Sequence, residues 1–218
     1  MVNIDTVYQK VLAIANKEQR GYITPQEFNL YASQAQLEIF EQYFYEVNHL
    51  KLRDSNRTLN KLTTELVSKK RELFMRTEGP GATANYPISN NALLIPDYIY
   101  RIKHVSLNNV KCDYLSSDEF NAIVNASGII RPTPTSPVWT SWSNRLRVFN
   151  GGPALSNIGI HYYILPKKPS WGYFVVGEKA LYDPNPTKTQ HFSLHESEEP
   201  ELVYKILKLA GISIKQQD

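Results

Sequence analysis

Residues 16–28, Asn16-Lys17-Glu18-Gln19-Arg20-Gly21-Tyr22-Ile23-Thr24-Pro25-Gln26-Glu27-Phe28, can be read in two incompatible ways. One is a calcium loop of the EF-hand kind, which wants oxygen ligands at its first, third and fifth positions, a Gly at the sixth and a bidentate Glu at the twelfth. Asn16, Glu18, Gly21 and Glu27 fall on four of those positions, but Arg20 occupies the fifth and would place a guanidinium where the ion belongs. The other reading is a helix–turn–helix corner without an ion. Gly21 then ends the first helix as its C′ residue, Thr24 caps the second, Pro25 takes its first position and Glu27 closes a capping box. Only the second reading gives every residue a reason, Pro25 included.

Working outward, the N-terminal third reads as helical. Asn3 or Asp5 can cap a helix carrying Val7, Val11 and Ile14. The helix beginning at Pro25 runs to about Val47. At about 100° per residue, Phe28, Ala32, Ala35, Ile39 and Tyr43 form one apolar stripe, and Leu37, Phe40, Phe44 and Val47 form a second beside it. Together they span roughly 200° of the helical wheel, twice what one packing face requires. Such an arc belongs either to a central helix buried within its own domain or to one that also meets a neighbouring subunit; the second is the expectation here, with Leu37, Phe40, Phe44, Val47, Arg53 and Arg57 as interface residues. A third helical pattern over 49–76 places Leu59, Leu62, Leu66 and Leu73 near one face. It carries eight cations (Lys51, Arg53, Arg57, Lys61, Lys69, Lys70, Arg71 and Arg76) against Asp54, Glu65 and Glu72. Such a run is a solvated helix face or a surface for phosphate or an acidic partner.

The composition changes at Glu78-Gly79-Pro80-Gly81, and short strands punctuated by turns follow. Strands are expected at Ala92–Ile95, Tyr100–Leu107, Val110–Leu115, Val138–Trp142, Leu146–Phe149 and Ile158–Leu165, with Asn108-Asn109 as a hairpin turn. Ser116 and Glu119 form a second capping box for a short helix. The RPTPTSP run (131–137) reads as an extended loop, and Lys167–Asn185 also reads as loop. A last helix begins among Glu198, Glu199 and Glu201, presents Leu202, Val203, Ile206, Leu207 and Leu209, and stops at Gly211. The expected class is α+β: an N-terminal helical bundle or hairpin over 1–78, a small antiparallel β domain with an inserted short helix over 79–195, and a C-terminal helix and tail over 196–218.

The 218 residues suffice for one large domain or two small ones, and the net charge of +3 marks neither a nucleic-acid nor a membrane protein as a whole. Cys112 is the single cysteine, so neither an intrachain disulfide nor a cysteine metal site can form. No apolar run approaches transmembrane length, and MVNIDTVYQK lacks the apolar core of a signal peptide, so the chain is expected to be cytosolic or assembled in the cytosol. Fourteen tyrosines suit interfaces and β-strands equally. The five histidines (49, 104, 161, 191 and 195) are scattered, and no nucleophile elbow, phosphate loop or metalloprotease helix occurs. Cys112 reads as a small apolar residue, while Asp118 and Glu119 are accounted for by helix capping. No enzyme, cofactor or metal is expected.

Three blocks carry a resemblance. VYQKVLAIANKEQRGYITPQEFNLYASQAQLEIFE (7–41) opens the chain like the neck proteins that sit between portal and tail in short-tailed phages, including the crAss-like group. SSDEFNAIVNASGIIRPTPTSPVWT (116–140), with LRVFN and YYILPKKPSW after it, resembles them too, as does the close, FSLHESEEPELVYKILKLAGISIK. The resemblance implies a structural protein of the virion and phage tail. Such a protein would form a homo-oligomeric head-to-tail connector (adaptor) ring, dodecameric to match a portal. It would bind the portal and other neck or tail rings, with packaged DNA passing through its lumen. Segregated charge, basic over 51–76 and acidic over 196–201, suits the unlike faces that meet in a cyclic assembly. Two other classes stay open from the residues: a calcium-binding module on Asn16–Glu27, and a nucleic-acid-binding protein on the basic 51–76 segment.

Overall fold

The computed structural model describes residues 1–17, 22–52, 57–78, 88–89, 92–152 and 157–212, with side chains described outside 47–52, 57–64, 88–89 and 129. In chain order the elements are α1 (Ile4–Lys17), α2 (Pro25–Leu52), α3 (Arg57–Glu72), β1 (Met75–Glu78), β2 (Ile88–Ser89), β3 (Ala92–Leu94), β4 (Ile99–Leu107), β5 (Val110–Lys111), β6 (Asp113–Tyr114), α4 (Ser117–Val124), β7 (Val138–Trp142), β8 (Arg145–Phe149), β9 (Ile158–Ile164), β10 (Tyr173–Val176), β11 (Lys179–Tyr182) and α5 (Glu199–Leu209). The class is α+β. The chain forms two compact units, one from 1–73 together with 166–218, the other from 74–165. This division differs from the boundaries read in the sequence, because residues 166–195 pack with the helices and not with the strands before them.

In the helical unit, the corner before α2 is a capping box. Glu27 N–H donates to Thr24 Oγ1 at 3.3 Å, while Thr24 N–H and Oγ1–H donate back to the Glu27 carboxylate at 3.0 and 2.8 Å. The carboxylate that a calcium loop would use as its bidentate ligand is thus committed to the helix start. Asn16, the first loop position, lies inside α1. Gly21 and the other residues of 18–21 lie outside the described residues. At the start of α1, Asn3 is the cap: its Oδ1 accepts from Asp5 N–H at 2.8 Å.

Helix α2 is covered on more than one side within its own unit, as a central helix would be. Phe28, Ala32, Ala35 and Ile39 are buried, and so are Phe40 and Phe44 of the second stripe. Helices α3 and α5 pack on α2, and the returning segment 167–194 closes over it through two side-chain amides. Asn29 accepts from Trp171 N–H at 2.7 Å and donates to Trp171 O at 3.3 Å. Gln36, itself buried, donates to Lys167 O at 2.8 Å and accepts from Ser193 N–H at 2.7 Å. Of the face expected over 49–76, Leu66 of α3 and Leu73 just after it are exposed while Val67 is buried, and the side chains of Leu59 and Leu62 lie outside the described residues. Lys70 stands over the Tyr43 ring (5.7 Å) and ion-pairs with the buried Glu198 that precedes α5, while Arg71 stands over Phe44 (4.7 Å). Burial and the Glu198 carboxylate together push the Tyr43 hydroxyl far above its ordinary pKa.

The β unit is built from two sheets, ordered β1-β9-β4-β5 and β2-β3-β8-β7-β6. Leu93, Val105, Leu107, Trp139, Leu146, Val148, Ile158 and Ile160 from both sheets share one core. Asn108 and Asn109, both at positive φ (51° and 67°), make the expected turn between β4 and β5. The strand after that turn divides. Its first half pairs with β4, while its second half crosses to the other sheet as β6 and pairs parallel with β7, the one departure from an antiparallel domain among the described strands. The Ser116–Glu119 capping box forms as read.

Thr24→Ala should lower stability by about 1 kcal/mol through loss of the N-cap, measured by urea unfolding. Millimolar calcium should leave the melting temperature of the wild-type protein unchanged; a calcium-dependent rise would restore the ion-loop reading, since a ligand of the native state must stabilise it.

Candidate assembly surface

Of the interface residues expected from the sequence, the described ones do not form one surface. Phe40 is 0% exposed and Phe44 is 6% exposed, so neither can meet a neighbour; Leu37, at 42%, remains on the surface. Their rings pack on each other at 5.1 Å. The physical reason is the coverage of α2 described above: burying a Phe contributes roughly 2 kcal/mol, and α3, α5 and the returning chain take that surface inside the unit. The side chains of Val47 and Arg57, and Arg53 altogether, lie outside the described residues.

An apolar surface emerges instead where the sequence read as loop. Tyr173–Val176 and Lys179–Tyr182 form a two-stranded antiparallel hairpin, turning on Gly177 and Glu178, both at positive φ (53° and 66°). This is the backbone of a two-residue primed turn. The cross-strand register puts Tyr173, Val175, Ala180 and Tyr182 on one face and Phe174, Val176, Lys179 and Leu181 on the other. Val175 is 64% exposed and Val176 56%, with Phe174 and Leu181 also exposed, so apolar side chains stand in solvent on both faces. No third strand joins the hairpin among the described residues. A two-stranded ribbon is only marginally stable alone, and exposed apolar strands with open edges invite pairing.

The base of the hairpin is fixed. Trp171 is buried, stacks on Tyr173 and Tyr182 (both 5.8 Å), meets Tyr8 at 4.3 Å and donates its indole N–H to Asp5 at 2.9 Å. Gly172 leaves no room for a side chain: a Cβ there would stand 2.5 Å from Thr189 Oγ1, which accepts from Gly172 N–H. The apolar tip is therefore carried on a rigid foot in the helical unit. The same unit holds a groove of about 410 Å³ between α1 and α5, lined by Ala13, Ile14, Pro200, Val203 and Tyr204, with the Lys10–Glu199 ion pair at its rim.

The groups with chemical potential are otherwise occupied. His191 Nδ1 accepts from Ile4 N–H at 3.3 Å, a bond between distant parts of the chain, and His195 Nδ1 accepts from Ser197 N–H at 3.2 Å, so both are engaged with backbone N–H groups. Burial pushes the Cys112 thiol up to about 11, which keeps it a protonated core residue. Among the described residues no three His, Cys, Asp or Glu side chains gather as metal ligands, and no helix is long and apolar enough to cross a membrane. In the β unit His104 and His161 stack across β4 and β9 at 3.9 Å, and His161 Nδ1 lies 2.9 Å from Thr77 Oγ1. Burial lowers both imidazole pKa values, helped by His161, Lys103 and Lys111 around His104 and by Lys103 around His161. Spacing along the chain gives no sign of this pair, which the cross-strand register alone brings together. No known protein family matches the chain, and no curated protein matches it.

Because folding lowers both histidine pKa values, the unfolded chain binds more protons just below the ordinary value of about 6.5. The contribution of neutral stacking is intact above that pH and is lost as pH falls through the window. Urea unfolding should show the wild type losing stability between pH 7.5 and 5.5, and His104→Gln losing less over the same interval. An equal loss in both would show that the pair does not titrate as described.

Proposed function

We propose that the chain is a structural virion protein, one copy of a closed head-to-tail connector ring. The ring docks on a phage portal or on another ring of the neck, bridges capsid and tail and helps retain packaged DNA. The hairpin carries this reading: four apolar side chains held in solvent on a rigid foot serve no purpose in an isolated chain, and patches of that kind mark interaction sites. The resemblance of the 7–41, 116–140 and 192–215 blocks supplies the identity of the assembly. The helical unit also supports a ring over a two-fold dimer. Its projecting apolar hairpin and its α1–α5 groove are unlike surfaces, and contacts between unlike surfaces propagate and close by rotation, whereas a two-fold contact joins like to like. The hairpin of one copy seats in the groove of the next, with Glu178 and Lys179 at the tip set against Lys10 and Glu199 at the rim.

Val175→Asp with Val176→Asp places charge on the exposed tip and leaves the buried foot alone. Wild-type protein should self-associate with rising concentration in sedimentation velocity, and the double variant should stay monomeric with an unchanged melting temperature. A wild type that is monomeric up to about 1 mM, or a variant that assembles equally well, would contradict the proposal.

A further inference from the structure

Independently of assembly, the β unit contains a cleft of about 640 Å³, open to solvent, between β4 and the Tyr114–Trp139 pair of β6 and β7. That volume lies in the range of small-ligand sites. Along it β4 carries two register shifts, one between Ile99 and Arg101 and one between Ile102 and His104. Tyr100 and Lys103 are the extra residues of these bulges, and both line the cleft. Bulges re-aim side chains and gather beside functional sites.

The lining has a definite chemistry. Arg101 and Lys103 are exposed and neither has a carboxylate partner among the described residues, although Lys103 Nζ donates to Met75 Sδ at 3.5 Å. The nearest acid in the lining, Asp97, is already held by the side-chain amide of Asn144. Tyr114 is 60% exposed and Tyr100 is also exposed, so two aromatic rings border two cations. Cations and flat rings in one groove match a chain that alternates negative charge with planar rings.

We infer that this cleft binds single-stranded nucleic acid, with Arg101 and Lys103 on phosphates and Tyr100 and Tyr114 stacked on successive bases. A duplex fits poorly, because its base faces are hidden by its own stacking. An added peptide strand fits poorly too, because β4 is already paired with β9 and β5 and its two bulges interrupt a regular ladder. The basic 51–76 segment, the sequence-based candidate for this activity, lies in the helical unit as far as Leu73 and does not line this cleft.

The test is fluorescence anisotropy of a labelled oligothymidylate of about ten nucleotides with the full chain at about 50 mM salt. Tyr100→Leu and Tyr114→Leu keep apolar bulk without the ring, and a melting curve checks each fold. Each should weaken binding by roughly five- to hundredfold. Arg101→Gln should reduce the slope of log affinity against log salt by about 0.7, one phosphate on a single strand. Absence of binding, binding that survives both tyrosine changes, or equal affinity for duplex would overturn the inference. Loss of self-association in the tyrosine variants without oligonucleotide binding would also overturn it and assign the cleft to a protein partner.

Discussion

Two side-chain amides on α2 decide the architecture of the helical unit. Asn29 and Gln36 each donate to and accept from the backbone of the returning chain, at Trp171 in one case and at Lys167 and Ser193 in the other. In a buried setting each unmade bond would cost about 1–3 kcal/mol, so the segment has little freedom to sit elsewhere. Once it is pinned, Trp171 enters the space beside Tyr8 and Phe28, the hairpin stands on Trp171, and α2 loses the apolar surface it would otherwise show to a neighbour. Core, cover and exposed hairpin are consequences of one arrangement.

That arrangement also explains what the sequence made legible. Local signals worked where they are self-contained: Thr24–Glu27 and Ser116–Glu119 cap as read, Asn108-Asn109 turns as read, and α5 buries Leu202, Val203, Ile206 and Leu207 as its periodicity requires. The α+β class followed from the same signals. The width of the apolar arc on α2 was read correctly but assigned to the wrong partner, since periodicity measures how much surface is apolar and not what covers it. Gln36, a polar residue beside both stripes, is the group that ties down the cover. The hairpin was missed because Gly177-Glu178 is an uncommon primed turn, with a glutamate at positive φ, and because its apolar residues do not alternate with polar ones. The cleft lies along bulges, which leave no period-two signature.

The two units divide the chemistry. The helical unit supplies exposed apolar surface on rigid supports, suited to contacts between copies. The β unit supplies a polar cleft of rings and cations around a closed two-sheet core.

The amide clamp is open to one direct measurement. Native-state hydrogen exchange should find the Trp171 and Ser193 amide protons, which donate to Asn29 and Gln36, among the slowest in the protein, opening only with global unfolding. Exchange at the rate of exposed loop amides, while the amides of α2 stay protected, would show that the returning chain is not held by α2 and would remove the support on which the hairpin stands.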